Sequence, residues 1–231
     1  GKSSVVRLIA AGLREGGLKT YAKTTGTSPR IINDKGEDKY IHRLRSASIE
    51  EQISLIRYFS NHFNNVIGIS RDPNESFTEK NIFIYKANML NHSESLNISK
   101  QIIEKHQVID VWVNCIGGFS MGNSIDEDNE HWNSMYNVNF TTCLHGCQAS
   151  LHYMKQQRSG HIINIGSEAA LNGFENAAAY LISKSSVHTL TKLIHLETNK
   201  FNISCNVVLP GIIDTPQNRE AMPNEDFTKW Q

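Results

Sequence analysis

The stretch VIDVWVNCIGG, residues 108–118, decides the fold of this chain because a short, almost wholly apolar run passes directly into a glycine turn. Short, continuously apolar strands are typical of parallel sheets that are covered by helices on both faces. In such sheets, ligands bind beyond the carboxyl ends of the strands. Functional side chains are therefore expected directly after this strand and after its neighbours.

The same pattern of short apolar segments continues on both sides of this stretch. Similar strands are predicted at 65–70, 82–87, 160–167 and 203–211, and helices are predicted at 94–106, 129–157 and 176–200. Strands that alternate with helices indicate an α/β fold with a parallel sheet. Upstream, residues 30–44 read as a hairpin whose turn is Asp34-Lys35-Gly36, and residues 18–26 read as a short strand running into a turn.

Composition excludes several classes of partner. Lys plus Arg and Asp plus Glu both number 23, so no net field draws the chain to nucleic acid or to anionic lipid. No apolar run approaches the ~18 residues of a membrane span. Four scattered cysteines suit reduced thiols in a cytoplasmic protein. Cys143 and Cys147 share a helix face, but small packed side chains explain them better than a metal does, and no metal site is predicted.

One constellation of side chains indicates acid–base chemistry. Tyr180 and Lys184 are four residues apart on a predicted helix and therefore share a face. An unperturbed tyrosine has a pKa near ~10, and a positive charge one turn away lowers it. Ser167 comes thirteen residues before Tyr180, directly after a strand, where its hydroxyl can bind the substrate oxygen that Tyr180 protonates. On spacing alone, an exposed Tyr–Lys pair remains the commoner interpretation.

The order of several motifs resembles the short-chain dehydrogenase/reductase family. DVWVNCIGG stands at that family's D-x-x-V-N-N-A-G strand, and NVNF stands at its helix asparagine. INIGS and YLISK match its serine, tyrosine and lysine, and LPGIIDT matches its P-G-x-x-x-T segment. The resemblance covers residues 63–231 and implies a Rossmann-like doubly wound parallel sheet, incomplete at its N-terminal strand and C-terminal end. It also implies a homo-oligomer.

The resemblance implies catalytic roles for four residues. Tyr180 would donate the proton to a carbonyl or imine, and Lys184 would lower the pKa of Tyr180 and hold the nicotinamide ribose. Ser167 would orient the substrate. Asn139 would hold the water that relays protons past Lys184. Packing remains the alternative interpretation of each.

The resemblance also implies a dinucleotide site. Asn114 would steady the central strand, and the backbone of Cys115, Ile116 and Gly117 would pass beside the cofactor. The remaining residues implied to bind it are Ser70, Arg71, Asn88, Pro210, Gly211, Ile212 and Thr215. Because Arg71 directly follows Ser70 at a strand end, where an arginine can pair with a 2′-phosphate, NADP is expected rather than NAD. Asn88 stands where the family usually has an aspartate that accepts a hydrogen bond from the adenine amine.

GGFSMGN and the segment from Leu209 onward resemble the dihydropteridine-reductase-like branch of the family. This branch makes a cyclic imine or a ketone the expected small-molecule substrate. Ser167 favours the general family mechanism, because pteridine reductases often lack that serine.

Residues 1–62 resemble a different family, the Mur-ligase-like poly-γ-glutamate synthases. GKSS would be the end of a P-loop, in which Lys2 and Ser3 would bind phosphates and magnesium, and TTGT would be a later turn. The short-chain family's first strand and its T-G-x-x-x-G-x-G turn are absent. We expect a ligase-like segment over 1–62 joined to a reductase-like domain over 63–231. LKTYAKTTGTS, residues 18–28, is an alternative occupant of the central strand position.

The leading expectation is an NAD(P)-dependent oxidoreductase of the short-chain type. Three alternatives stay open on the sequence: a catalytically impaired remnant that no longer binds dinucleotide, an ATP-dependent amide ligase fragment, and a non-catalytic module whose long helices mediate association. Absence of dinucleotide binding would indicate the remnant, ATP hydrolysis that depends on Lys2 would indicate the ligase, and association without ligand binding would indicate the module.

Overall fold

The computed structural model describes residues 22–23, 30–32, 38–40, 56–73, 77–212, 219, 223–224 and 226–229. Near the N-terminus, β1 (Ala22–Lys23), β2 (Arg30–Ile32) and β3 (Asp38–Tyr40) form an antiparallel sheet. Pairing of Arg30 with Tyr40 confirms the two arms of the predicted hairpin. Its turn residues and Lys2 and Ser3 lie outside the described residues. β1 pairs with β2, so the structure does not bear out the alternative that residues 18–28 supply the central strand.

The rest of the described chain alternates between strands and helices, as predicted. Its elements are a helical turn at 56–60, β4 (Val66–Ser70), β5 (Ile82–Lys86), α1 (His92–His106), β6 (Val111–Asn114), α2 (Asn129–Tyr136), α3 (Thr142–Gln157), β7 (Gly160–Ile165), α4 (Ala169–Asn172), α5 (Ala178–Thr198) and β8 (Ile203–Val208). One-turn 3₁₀ helices follow at Asn199–Phe201 and Phe227–Lys229. β4 pairs with β5 in parallel, and β6, β7 and β8 form a second parallel sheet with β7 in the centre.

The structure has two parallel sheets where a single one was predicted. Hydrogen bonds from Val66 N to Asn81 O and from Ala87 N to Ser70 O direct alternate backbone groups of β4 towards β5. In a parallel ladder the intervening residues direct theirs to the opposite edge. That edge of β4 and the corresponding edge of β6 both line a cavity of about 470 Å³. Among the described residues, this cavity thus separates the two sheets.

The main core forms where α3 and α5 pack against the β6–β8 sheet. Met154, Ile162 and Val187 are almost completely buried there and belong to one apolar cluster. Burying side chains of this size stabilises a fold by roughly 1.5–3 kcal/mol each. The carboxyl ends of β7 and β8 and the first turns of α5 are thereby held in fixed positions, and the predicted catalytic residues lie at these points.

Residues 129–157, predicted as one long helix, are interrupted by a π-helical segment at Asn137–Thr141. The amide N–H of Thr142 donates to the carbonyl of Asn137, and the Thr142 hydroxyl donates to the carbonyl of Val138 at 2.7 Å. Asn139 donates its side-chain amide to the carbonyl of Met135 at 3.1 Å. These side-chain bonds satisfy carbonyls that the wider turn leaves without their usual partners. π-bulges of this kind are frequent at functional sites.

Candidate active site

The structure brings Tyr180, Lys184 and Ser167 together at the carboxyl end of β7. Ser167 is the second residue after β7, and its side chain lies near enough to Tyr180, in the first turn of α5, to act on the pKa of that tyrosine. Lys184 lies one helical turn further on, and its ammonium group donates to the carbonyl of Ile165 at 2.9 Å. The predicted convergence of the three side chains is therefore present in the fold.

The ammonium group of Lys184 is held in a largely apolar environment. Its side chain is buried, and burial lowers its pKa from 10.5 to about 8, while the thiols of Cys143 and Cys115 act in the opposite direction. A Cβ on Gly117 would lie 3.2 Å from the Lys184 ammonium and 3.0 Å from Oδ1 of Asn139. The glycine at 117 therefore keeps the approach to both polar groups open.

The environment of Tyr180 corrects one prediction. Its pKa is raised above the ordinary value, chiefly because burial disfavours the phenolate, while the Ser167 hydrogen bond acts in the lowering direction. Lys184 was predicted to depress the pKa of Tyr180, but its ammonium group binds the Ile165 carbonyl instead. In this structure the tyrosine is held as the protonated phenol, which is the form required of a general acid.

The side chain of Asn139 joins the π-helical segment to the glycine turn after β6. Its Oδ1 accepts from the N–H of Gly118, and its amide donates to the carbonyl of Gly118, both at 3.0 Å. Asn139 is almost fully buried. It therefore fixes the Gly117–Gly118 turn beside Lys184, a positioning role that sequence spacing alone does not show.

Asn114 lies in a buried polar network and steadies the strands, as expected. Its Oδ1 accepts from the indole N–H of Trp112 at 2.9 Å, and its amide donates to Oδ1 of Asn164 at 2.8 Å. Asn164 in turn donates to Thr191 on α5 at 2.9 Å. The network ties β6, β7 and α5 together directly below the predicted catalytic residues.

Sequence reasoning missed His188, which follows Lys184 by one helical turn. Its Nε2 accepts the backbone N–H of Ser167 at 3.2 Å. Burial lowers the pKa of His188, and the charge of Lys184 lowers it further. The neutral ring therefore accepts this hydrogen bond and positions Ser167. The available signal was its place on the same face of α5 as Tyr180 and Lys184.

The predicted cofactor residues are distributed along the carboxyl ends of several strands. Cys115 and Ile116 border the cavity between the sheets, and burial raises the pKa of the Cys115 thiol to about 12. Pro210, Gly211 and Ile212 directly follow β8, and the Pro210 carbonyl accepts from the N–H of Glu168 at 2.9 Å. Thr215 lies outside the described residues.

The residues predicted to bind the adenosine end of the cofactor follow β4 and β5. Ser70 ends β4, and Arg71 is exposed directly after it. Asn88 already has a local role, because its Oδ1 accepts from the N–H of Leu90 at 3.1 Å. A carbonyl oxygen has two lone pairs, so Asn88 retains capacity for one further donor.

Known proteins that this chain resembles agree with the arrangement of the site. A family model described as short chain dehydrogenase matches residues 60–226, and the chain belongs to that family. Its parallel α/β arrangement is accordingly of the Rossmann type. The solved structure "ElxO with NADP Bound" has a TM-score of 0.68 and 27% identity, and the match covers 74% of this chain and 72% of that one.

Two curated relatives are similar over the central part of the chain. The trans-4-hydroxycyclohexanecarboxylate dehydrogenase of Sinomonas cyclohexanicum is 38% identical over 114 residues, which cover 49% of this chain and 44% of that protein. The 3beta-hydroxysteroid dehydrogenase of Mediterraneibacter gnavus is 33% identical over 117 residues, covering 50% and 42%. The chain spans about half the length of the curated relatives it matches.

Proposed function

We propose that this chain carries the catalytic part of an NADP-dependent oxidoreductase that interconverts a carbonyl or imine with the corresponding alcohol or amine. The observation that carries the proposal is the convergence of three side chains: Ser167 lies near enough to Tyr180 to act on its pKa, and the Lys184 ammonium group, one turn further along α5, is bound to the Ile165 carbonyl. Membership in the short-chain dehydrogenase family and the NADP-bound state of ElxO support it.

The residues at the carboxyl ends of β6 and β8 fit the nicotinamide end of such a cofactor. The space that a Cβ on Gly117 would fill adjoins Lys184 and Asn139. Lys184 would donate to the ribose hydroxyls, and the backbone after Pro210 would flank the nicotinamide. When bound, the cofactor supplies or accepts the hydride.

The protein's own groups would handle the proton. Tyr180, held as the phenol by burial, would donate its proton to the substrate oxygen or nitrogen. Ser167 would accept or donate a hydrogen bond at the same atom, in an orientation fixed by its backbone bond to His188. Lys184, with Asn139, would lead a replacement proton in through water. General acid help of this kind typically contributes ~10²–10⁴-fold.

The preference for NADP rests on Arg71. Its exposed guanidinium at the end of β4 would pair with a 2′-phosphate, while Asn88 would accept the adenine amine.

The test is a fluorescence titration of the purified chain with NADPH, with NADH as competitor. We expect micromolar affinity and a preference for NADPH that Arg71→Ala removes. Arg158→Ala, an exposed arginine at the end of α3, is the matched control and should keep the preference. Absence of binding by folded protein would overturn the proposal and favour the impaired-remnant alternative.

Association into a homo-oligomer belongs to the same proposal. Ile182, Leu193 and Leu196 lie on one face of α5 and are each about half exposed, which is unusual for three apolar side chains in line. We propose that a second copy covers them. Leu193→Glu should then lower the mass measured by light scattering, and an unchanged mass would contradict the assignment.

Further predictions concern the setting of the protein. We propose a cyclic imine as one substrate class, from the resemblance to the dihydropteridine-reductase-like branch. We also propose a cytoplasmic location. We propose a domain boundary near residue 62 and a ligase-like segment before it, in which Lys2 and Ser3 would bind nucleotide phosphates and magnesium. Over the described residues, no helix is both long and apolar enough to span a bilayer. ATP hydrolysis that Lys2→Ala abolishes would support the ligase-like segment.

A further inference from the structure

Two phenylalanines form an apolar wall beside the hydroxyl-bearing side chain of Tyr180. Phe119, in the loop after β6, meets the Tyr180 ring edge to face, with ring centroids 4.9 Å apart. Phe174, between α4 and α5, has its ring centroid 6.5 Å from that of Phe119. We call Phe119 and Phe174 the aromatic wall.

The position of the aromatic wall is fixed by backbone hydrogen bonds. The N–H of Gly122 donates to the carbonyl of Asn176 at 2.8 Å, and the N–H of Ala178 donates to the carbonyl of Gly122 at 3.3 Å. The loop after β6 is thus pinned to the start of α5, just before Tyr180. The two rings are consequently held relative to the phenol by the fold itself.

These rings do not behave as core residues. Phe119 is 43% exposed and Phe174 is 45% exposed, although Phe119 packs on the Tyr180 ring and Phe174 lies beside Phe119. Met121 and Leu171, on the same loop and on α4, are more exposed still. Exposed apolar side chains grouped on neighbouring loops in this way mark a binding surface. Its place beside Tyr180 identifies the occupant as the body of the substrate.

The charge of the surrounding loops narrows the substrate class. The described segments 115–123, 167–177 and 209–212 contain Glu168 and Glu175 but no lysine, arginine or histidine. Arg219, beyond β8, has its guanidinium 4.7 Å from the ring centroid of Phe227. A carboxylate on the substrate would therefore meet apolar rings and acidic side chains in these loops, where an unpaired charge is disfavoured.

We infer that the substrate is a neutral molecule with an alicyclic or aromatic ring, which lies against the aromatic wall while its carbonyl oxygen reaches Tyr180 and Ser167. This inference rests on the proposed function and adds the substrate class to it. A polyol or a sugar acid would leave its polar groups unpaired against Phe119 and Phe174. The wall thus acts by selecting the substrate, whereas Tyr180 supplies the proton.

The test compares methylcyclohexanone, oxocyclohexanecarboxylate and acetone as substrates with NADPH. We expect kcat/KM for the neutral ring to exceed that for the ring carboxylate at least tenfold. Phe119→Ala and Phe174→Ala should each raise KM for methylcyclohexanone by about tenfold and leave kcat/KM for acetone within about twofold. Val108→Ala, comparably exposed but before β6 at the opposite end of the strand, should change neither.

The outcomes separate this inference from the proposed function. A wall that merely orients Tyr180 would lower kcat/KM for acetone and for the ring ketone equally, and that result would overturn the inference. Turnover of all three ketones with no preference would also overturn it and leave the proposed function intact. Failure to turn over any ketone would count against the function. Saturation-transfer NMR with methylcyclohexanol, comparing the native chain with Phe119→Ala, then decides the inference by binding alone.

Discussion

The backbone N–H of Ser167 donates to Nε2 of His188 at 3.2 Å, which couples the residue after β7 to the helix that carries Tyr180 and Lys184. A Cβ on Gly166 would lie only 2.4 Å from the same nitrogen, so the strand end and the imidazole pack in direct contact. Ser167 is consequently held through its backbone by His188. The geometry of the candidate site depends on a residue that belongs to neither the serine, the tyrosine nor the lysine motif.

His188 should give the pH profile an acid limb. Burial and the Lys184 charge lower its pKa, so the ring stays neutral at pH 7 and becomes protonated only below the usual histidine range. Protonation removes the acceptor that holds Ser167. We expect kcat to fall on the acid side in the native chain, and the limb should disappear in His188→Gln, whose amide oxygen accepts at every pH.

His188→Leu, which can accept no hydrogen bond, should lower kcat about tenfold across the whole pH range while NADPH affinity stays constant. The expected loss corresponds to one positioning hydrogen bond. A His188→Gln profile that keeps the native acid limb would show that another group titrates there.

Lys184→Met should abolish turnover and yet stabilise the fold. Burial lowers the pKa of Lys184 from 10.5 to about 8, so the buried ammonium opposes folding at pH 7 by roughly 3 kcal/mol, reduced by its hydrogen bond to Ile165. We expect the free energy of unfolding of Lys184→Met to exceed the native value by about 1–2 kcal/mol at pH 7 in urea titrations.

The sign of this effect should change with pH in a defined way. Between pH 8 and pH 10.5 the unfolded chain binds more protons at this lysine than the native chain does, so this lysine's contribution to native stability rises over that window. Lys184→Met lacks this rise of roughly 3 kcal/mol, so its advantage of about 1–2 kcal/mol should vanish within the window and reverse by pH 10.5. A constant difference between the two proteins across the window would refute the assignment of the effect to Lys184.

Gly146→Ala should be strongly destabilising. A Cβ at this position of α3 would clash with Oδ1 of Asn114. The Asn114 side chain is held by its hydrogen bond to Asn164 and cannot move away without breaking it. We expect a loss of about 2–4 kcal/mol, measured as a lower midpoint of thermal unfolding. Gly118→Ala is the matched control, because its nearest neighbour would be a Val138 methyl at 3.4 Å. Equal midpoints for the two variants would contradict this account.

Much of the fold and of the site could be predicted because the signals are local. Continuously apolar strands indicated the parallel pairs, and the strand-end positions of Ser167 and Gly117 followed from the rule that ligands bind beyond the carboxyl ends. Tyr180 and Lys184 share a helix face by spacing alone. The predictions for Thr215 and for the boundary near residue 62 stay predictions.

The features that were not predicted depend on three-dimensional contacts. The π-helical segment lies where Asn139 and Thr142 bind backbone carbonyls through their side chains, and no periodicity in the sequence reveals it. His188 acts through the backbone N–H of Ser167, which is 21 residues away in the sequence. The ammonium group of Lys184 turns towards the Ile165 carbonyl because the buried charge needs an acceptor, which the four-residue spacing does not show.

The most direct test of the central claim is NADPH-dependent reduction of methylcyclohexanone by Tyr180→Phe, with Tyr153→Phe on α3 as the matched control. The account predicts that Tyr180→Phe lowers kcat by at least about a hundredfold and leaves NADPH affinity within about twofold, because only the proton donor is removed. Tyr153→Phe should retain native kcat. Native turnover by Tyr180→Phe would contradict the assignment of Tyr180 as the general acid.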